Sequence, residues 1–366
     1  MKKIPFWENS MGEEEKKLVN EVLDSGYINE GEVTKKFEDR VSELLNVKCA
    51  IATTSGTVAL FLAMKGLGIG YGDEVIVPNV TWIGSANAVD LTGAKPVLVD
   101  IDSKTLNISV NSFKKAINDK TKAVMPVHIC GRSADMENIM LIAKENNLFV
   151  VEDAAEAFMS KSNLGYLGTI GDVGIFSFSY NKAVTTGQGG MVITNNLDLG
   201  NKIRELKNQG LAFRGTAAND LYNSIGYNFR MTNLQAAVGN GQLSRFLDFR
   251  MEKMKRNYRI YKRELGNLDE VTFLGFDIEN GEVPLWVDIL VDNRDDFYNF
   301  LEKARIYCRK FWYPINIQKP YFLPDTKFPN SSKIMSKAIW LPSSFEMTDE
   351  DILIVCKCIK EYFANE

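Results

Sequence analysis

The stretch that indicates the fold most directly is residues 50–100, AIATTSGTVALFLAMKGLGIGYGDEVIVPNVTWIGSANAVDLTGAKPVLVD. Short apolar runs rich in β-branched residues alternate here with amphipathic stretches, a pattern typical of strands alternating with helices. We predict strands at Ala50–Thr53, Glu74–Pro78 and Pro96–Asp100, and helices at Thr57–Lys65 and Trp82–Leu91. Strand, helix and strand at this spacing favour βαβ units, in which helices cover both faces of a parallel sheet.

The same alternation continues to residue 207 and changes character after about Gly241. Further strands are predicted at Ala123–Val127, Leu148–Glu152, Gly174–Phe178 and Gly190–Thr194, and further helices at Val110–Ile117, Asp135–Asn146 and Leu197–Lys207. A long charged helical stretch, Ser244–Leu265, then leads into a weaker α+β segment and a closing helix, Glu350–Phe363. We therefore predict an α/β fold with a large domain, residues 1–245, on a mostly parallel mixed sheet, and a smaller C-terminal α+β domain, residues 246–366.

Composition excludes several classes of protein. The 366 residues are 45% hydrophobic, which fits packed domains and not a disordered chain. With 43 Lys+Arg against 47 Asp+Glu the net charge is −4, so no global attraction to nucleic acid or anionic membrane is expected. No uncharged apolar run reaches the roughly 18 residues of a membrane span, and the first residues lack the apolar core of a secretory signal. We expect a cytoplasmic protein without a membrane or nucleic-acid partner.

The histidine and cysteine content argues against a metal centre. The chain has 1 His and 5 Cys, and no Cys-x-x-Cys pair occurs. One histidine and scattered cysteines do not provide the ligand spacing of a zinc site. We therefore expect no metal.

One candidate anion site is Ser55-Gly56-Thr57, which joins a predicted strand to a predicted helix. The helix start offers unpaired N–H groups and a positive dipole end, and the hydroxyls of Ser55 and Thr57 add donors. A phosphate would fit there. An ordinary helix cap uses the same residue types, so the motif alone does not distinguish the two.

Two further motifs follow predicted strands. Asp153 lies just after the strand at Leu148–Glu152, at the edge where such sheets bind ligands. Lys182 follows Phe176-Ser177-Phe178-Ser179-Tyr180-Asn181, so its amine lies in an apolar and aromatic context that suits a nucleophile. Taken singly, the first could be a helix cap and the second a solvated lysine. Together with the anion site they provide what pyridoxal 5′-phosphate needs: a phosphate seat, a carboxylate for the ring nitrogen and an amine for the aldehyde.

These residues resemble, in order, those of the DegT/DnrJ/StrS-type aminotransferases, which are fold-type-I pyridoxal phosphate enzymes. The resemblance runs through most of the chain and includes the motifs Ser55–Leu60, Pro78–Trp82, Val127-His128, Glu152–Ala157, Phe176–Phe178, Lys182, Thr185–Gly187, Gly189–Met191, Gly226–Asn233, Arg309, Tyr313-Pro314 and Leu341–Ser343. Such enzymes mostly act on nucleotide-linked keto-sugars. The run from Asn181 to Met191 looks most like that of sugar 4-aminotransferases.

The resemblance implies a role for each matched residue. Lys182 would form the covalent link to the cofactor, and Asp153 would pair with its ring nitrogen. Other cofactor contacts would come from Ser55, Gly56, Thr57 and Ser177 at the phosphate, Trp82 stacked on the ring and Glu156 near its 3-hydroxyl, with Asn228 supplied by the neighbouring subunit of a homodimer. Substrate contacts would come from His128, Arg230, Arg309, Tyr313 and Asn316.

The implied reaction moves an amino group from L-glutamate to a nucleotide-linked keto-deoxy-sugar, at C4, in the synthesis of surface polysaccharides such as lipopolysaccharide O-antigen. The cofactor would carry the amino group as pyridoxamine 5′-phosphate between the two half-reactions. Several positions depart from the family pattern: Gln188 replaces a Glu, Met159 a Gly, Cys130 a Tyr and Asn316 a His, while Leu285-Trp286 stands in place of a His-Thr-Tyr-type run.

These departures leave alternatives open. The acceptor could be a smaller keto compound such as a ketose phosphate, because polar groups are lost at Asn316 and Leu285. A non-catalytic sensor of the same fold is disfavoured because Lys182 and Asp153 are both present, and Lys182 also argues against the family's dehydratases, which have histidine there. No Gly-x-Gly-x-x-Gly follows a first strand, which disfavours a nicotinamide dehydrogenase. His128 could equally be a buried histidine with a structural role.

Overall fold

Strands and helices alternate along most of the chain in the computed structural model, which describes residues 2–211 and 221–364. The helices are α1 Glu13–Ser25, α2 Glu32–Leu45, α3 Gly56–Gly66, α4 Gly84–Thr92, α5 Val110–Ala116, α6 Met136–Glu145, α7 Leu197–Lys207, α8 Asn233–Arg245, α9 Met251–Leu265, α10 Arg294–Lys303, α11 Pro329–Met335 and α12 Asp349–Ala364. The strands are β1 Cys49–Thr53, β2 Glu74–Pro78, β3 Lys95–Val99, β4 Thr121–Val124, β5 Phe149–Asp153, β6 Lys161–Ser162, β7 Gly165–Tyr166, β8 Val173–Ser177, β9 Gly190–Thr194, β10 Val271–Phe273, β11 Asp288–Val291, β12 Arg309–Lys310 and β13 Ala338–Trp340.

The large sheet has seven strands in the order β1-β9-β8-β5-β4-β2-β3. All run parallel except β9, which is antiparallel to both of its neighbours. The exception follows from the connection, because β8 and β9 are joined by a loop without a crossover helix, and only antiparallel neighbours can be joined in this way. The predicted α/β fold with a mostly parallel mixed sheet is therefore confirmed.

Helices cover both faces of this sheet, as the apolar composition of its strands requires. Strands β1, β2 and β9 are buried along their whole length, so apolar residues from both faces must be covered. Helix α3 packs between the sheet and α4 and α7, and its apolar side chains are nearly all buried. This packing fixes the ends of the strands, where the predicted site residues lie.

Helices α1 and α2, which contact α8, were not predicted, and α8 itself was predicted only in part. The chain is helical from Asn233 to Leu265, with a π-helical turn at Phe246–Arg250, although only Ser244–Leu265 was expected. Gly239 and Gly241 lower the helix propensity of α8 and obscure it. They are needed for close packing, because a Cβ at Gly239 would lie 2.9 Å from the Phe37 ring, and one at Gly241 would lie 2.7 Å from Glu15.

A second sheet, β10-β11-β13-β12, is antiparallel throughout and packs with α9, α10 and α12. The first residues of the chain belong to this region, since Ile4 pairs with Ile306 and the Lys2 ammonium contacts the Asp351 carboxylate at 2.7 Å. The division into residues 1–245 and 246–366 stays a prediction. Over the described parts of the chain, none of the helices has the length and apolar character to cross a bilayer.

Candidate active site

A cavity of about 370 Å³ lies at the carboxyl ends of the parallel strands, between the large sheet and β12. Most of the predicted site residues line it, namely Ser55, Gly56, Thr57, Trp82, Asp153, Glu156, Ser177, Lys182 and Arg309. They come from different parts of the sequence, and they meet because parallel strands end at the same edge of a sheet. The cavity is therefore the candidate active site.

One end of the cavity has the geometry of an anion seat. Helix α3 begins at Gly56, and the Ser55 hydroxyl oxygen caps it by accepting from the Val58 N–H at 3.2 Å. Ser177, the last residue of β8, packs so closely that a Cβ at position 56 would lie 3.0 Å from its own Cβ. The glycine therefore leaves the first N–H groups of the helix uncovered, in reach of a phosphate.

A buried carboxylate lies deeper in the cavity, at the end of β5. The Asp153 carboxylate accepts from the Ser85 hydroxyl at 2.7 Å and from the Ala155 N–H at 3.2 Å. Burial raises the pKa of Asp153 above its usual range, while these two hydrogen bonds and the Lys182 ammonium act in the opposite direction. A cation placed against this carboxylate, such as a protonated pyridine nitrogen, would stabilise its charged form.

Ser85 lines the cavity and was not identified from the sequence, and its bond to Asp153 supports a prediction about pH. Ser85→Ala removes an influence that lowers the pKa of Asp153, so that pKa should rise further and less of the anion should remain at acidic pH. Because the anion is the form that holds a cationic ring nitrogen, cofactor affinity should fall about tenfold on the acidic side of neutrality and less in alkali. Titration of cofactor binding against pH would measure this.

The matched control is Ser109→Ala, which removes a helix-capping hydroxyl at the start of α5, away from the cavity. Its cofactor affinity should follow the wild-type pH profile. Equal weakening by Ser85→Ala at all pH values would contradict the assigned effect on Asp153.

The predicted lysine lies in the loop that joins β8 to β9, opposite a second buried carboxylate. The Lys182 Nζ is 3.2 Å from Glu156 Oε1 and 5.1 Å from the centroid of the Trp286 ring, and its side chain is only 11% exposed. Burial raises the pKa of Glu156, and the Lys182 ammonium acts against this. The Cys130 N–H donates to the other Glu156 oxygen at 2.9 Å, which fixes the carboxylate beside the amine. The Lys182 amine is thus held inside the cavity, with little freedom to move into solvent.

Aromatic side chains form the wall nearest the second sheet. Trp286 and Trp312 line the cavity together with Arg309 of β12, whose guanidinium lies 5.5 Å from the centroid of the Trp340 ring. The sequence indicated Arg309 but gave no signal for Trp312, since an isolated tryptophan is most simply a core residue. Gln188, one of the departures from the family pattern, also lines the cavity.

The structure places the His128 side chain outside the cavity lining, and its contact with substrate stays a prediction. The ring is fully buried, its Nε2 lies 2.9 Å from Glu152 Oε2, and its Nδ1 accepts from the Ala134 N–H at 3.1 Å. Glu152 also accepts from the N–H groups of Gly168, Ile170 and Gly171. Both nitrogens of the ring are therefore used to hold the loops around β5.

Asn316 also lies outside the cavity lining and is fully buried, with its amide bonded within the protein, so its contact with substrate stays a prediction. Its Oδ1 accepts from Asn79 at 2.8 Å, and its Nδ2 donates to the Leu323 carbonyl and the Asp325 carboxylate. The sequence could not show this, since the partner at position 79 is distant along the chain.

Three other predicted residues lie outside the cavity lining of this chain. Tyr313 is 69% exposed, Arg230 pairs through its backbone with Thr53, and Asn228 is exposed and accepts from Arg230 Nε at 3.2 Å. The Asn228 placement leaves it available to another subunit, as the family resemblance implies. Among the described residues, no group of His, Cys, Asp and Glu side chains is arranged to hold a metal ion.

Comparison with known proteins identifies the class to which this fold and cavity belong. The model of the DegT/DnrJ/EryC1/StrS aminotransferase family matches residues 9–360, so the chain belongs to that family. It is similar to the GDP-perosamine synthases of Escherichia coli O157:H7, at 40% identity over 100% of both chains, and of Vibrio cholerae, at 40% identity over 98% of this chain and 99% of the other. Its structure is similar to that of S. venezuelae DesV in complex with a ketimine intermediate, with a TM-score of 0.93, 28% identity and 99% of each chain covered.

The protein is therefore a pyridoxal phosphate-dependent aminotransferase, and its cavity fits that cofactor. The helix start uncovered by Gly56 suits the phosphate, the buried Asp153 carboxylate suits the ring nitrogen, and the Lys182 amine is in the same cavity to meet the aldehyde. When bound, the group supplies a ring that withdraws electrons from the carbon bearing the amino group. Lys182 Nζ would then be placed to accept and return a proton, positioned by Glu156 Oε1 at 3.2 Å.

Proposed function

We propose that this enzyme transfers the amino group of L-glutamate to C4 of a GDP-linked keto-deoxy-sugar. The GDP-linked acceptor is suggested by the name of its relatives, which are GDP-perosamine synthases. The observation that carries the proposal is 40% identity to such a synthase over the full length of both chains. The cavity supports it, because it combines Arg309 with a tryptophan-rich wall. An arginine suits phosphate or carboxylate groups, and indole faces suit the apolar face of a sugar ring.

The acceptor is tested by incubating the purified enzyme with ¹⁵N-glutamate and GDP-, dTDP- or UDP-linked 4-keto-sugars, with mass detection of the product. We expect ¹⁵N to appear in a GDP-linked amino sugar, and NMR of the product to place it at C4. A parallel reaction with ketose phosphates serves as the comparison. Transfer to ketose phosphates without transfer to any sugar nucleotide would contradict the proposal.

We further propose that two chains share each active site in a homodimer, with a cytoplasmic role in surface-polysaccharide synthesis. Asn228 supports the shared site, since it is exposed and outside the cavity of its own chain. The neighbouring residues Leu221, Tyr222 and Ile225 are large, apolar and exposed, and a second chain could bury them.

Complementation between two inactive variants should reveal the shared site. In a mixed dimer of Lys182→Ala and Asn228→Ala chains, one of the two sites contains the native residue at both positions. Denaturing and refolding the variants together should therefore restore about a quarter of the wild-type activity, since half of the dimers are mixed. Activity assays before and after mixing measure this.

The control is Lys182→Ala mixed with the double variant Lys182→Ala/Asn228→Ala, which should stay inactive. Restoration in the control, or none in the test mixture despite dimers in light scattering, would contradict the assignment of Asn228 to the partner's site.

A further inference from the structure

Two tryptophans from distant parts of the chain lie next to each other in the cavity wall. Trp82 lies between β2 and α4, and Trp312 lies just after β12, with their ring centroids 6.4 Å apart and an interplanar angle of 60°. Both line the cavity. Rings at this distance and angle are in edge contact, so Trp82 and Trp312 form one continuous stretch of the cavity wall, and the position of Trp312 relative to Trp82 sets the shape of that wall.

A pair of buried asparagines joins the two segments that carry these rings. Asn79, at the end of β2, donates from Nδ2 to Asn316 Oδ1 at 2.8 Å. In return, Asn79 Oδ1 accepts from the Asn316 N–H at 2.8 Å, and the Asn79 carbonyl accepts from the Ile315 N–H at 2.8 Å. Both asparagines are fully buried, so these bonds are shielded from competing water.

Asn316 also forms hydrogen bonds to other residues of the loop that follows β12. Its Nδ2 donates to the Leu323 carbonyl at 3.0 Å and to Asp325 Oδ1 at 2.8 Å, and its carbonyl accepts from the Leu323 N–H at 2.9 Å. The side chain thus accepts one hydrogen bond and donates two. An asparagine can do this, whereas a neutral imidazole has only one donor and one acceptor. The asparagine at this position therefore suits a structural junction better than the histidine frequent in the family.

We propose that Asn316 is a positioning residue which, through Asn79, holds Trp312 next to Trp82 and so sets the fit of the acceptor substrate. The inference rests on the proposed sugar-nucleotide acceptor. Loss of the Asn316 amide would leave the Asn79 amide buried without its partner and free the segment that carries Trp312. Because Asp153 is the last residue of β5 and Lys182 lies in the loop between β8 and β9, both away from the Asn316 segment in sequence, the amine donor reaction should be spared.

The test measures the two half-reactions of the holoenzyme separately. Asn316→Ala should raise KM for the GDP-linked keto-sugar about tenfold, a moderate effect for loosened positioning, with kcat and the glutamate half-reaction little changed. Asn79→Ala should act in the same direction, and the double variant should add little, because both remove the same contact. Tyr321→Phe is the control: it removes the bond from this loop to Asn87 without touching the asparagine pair, and KM should stay unchanged.

Hydrogen exchange of the holoenzyme provides a readout that does not depend on the substrate. In Asn316→Ala the segment around residues 312–325 should exchange at least tenfold faster, while the segment around Asp153 keeps its wild-type rate. Equal losses in both half-reactions, or faster exchange with an unchanged KM, would overturn the proposal. If Asn316→Ala does not fold, Asn79→Ala gives the same comparison. Failure of the wild-type enzyme to accept any GDP-linked keto-sugar would instead contradict the proposed function and leave the exchange result standing.

Discussion

Lys182→Ala is expected to lower turnover by about 10⁴-fold or more, because it removes the amine that links to the cofactor and moves the proton. The substitution should also abolish the visible absorbance band of the linked cofactor, whereas borohydride treatment of the wild type should fix the cofactor covalently. The side chain is held 3.2 Å from Glu156 and is only 11% exposed, and among the described residues no other lysine lines the cavity.

Two comparisons separate this role from a general effect of charge. Lys182→Arg keeps a cation beside Glu156 but lacks a nucleophilic amine, and it should be as inactive as the alanine variant. Lys161→Ala removes a lysine that also lies over an aromatic ring, 4.2 Å from the centroid of Tyr166, but outside the cavity lining, and it should retain full activity. An unchanged absorbance band in Lys182→Ala would exclude the assignment.

Asp153→Asn should lower turnover by about 10²–10³-fold, the loss expected when one preorganised electrostatic partner is removed from an enclosed site. The substitution preserves the shape of the side chain and replaces the anion by a neutral amide. A neutral amide does not stabilise the protonated form of the ring nitrogen, so the pKa of that nitrogen should fall. The unprotonated ring withdraws electrons less well. Steady-state kinetics and the absorbance spectrum of the bound cofactor measure both effects.

The matched control for this substitution is Asp135→Asn, the same change at the exposed cap of α6. Asparagine caps helices about as well as aspartate, so activity and stability should change little. If Asp153→Asn kept wild-type turnover, the carboxylate could not be the partner of the ring nitrogen.

The sequence predicted the strand positions well because each buried strand is a local apolar run. The predicted strands Glu74–Pro78 and Gly190–Thr194 agree with the structure at both ends, and so does the predicted helix Leu197–Lys207. The direction of β9 could not be predicted in the same way, because the apolar pattern of a buried strand is the same in either direction. Helices α1 and α2, which pack on α8, were not predicted.

The cofactor residues were predictable because their chemistry is carried by short motifs at the ends of strands. The placement of Asp153 and Lys182 in one cavity follows from parallel strands ending at the same edge of the sheet, while their roles are implied by the family resemblance. The positions of His128 and Asn316 could not be predicted, because their contacts depend on Glu152 and Asn79, which no local pattern connects to them. Ser85 was missed since a serine in the first turn of a helix is ordinary until its partner is seen.

The pairing of Ile4 with Ile306, and of Lys2 with Asp351, has a consequence for the order of events during translation. The first residues leave the ribosome roughly 300 residues before their partners exist, which is on the order of fifteen to sixty seconds at ordinary elongation rates. Throughout that delay the apolar side chains of Ile4 and Phe6 have nothing permanent to pack against. Completion of the native molecule must therefore wait for the last helix to emerge, however early the large sheet has formed.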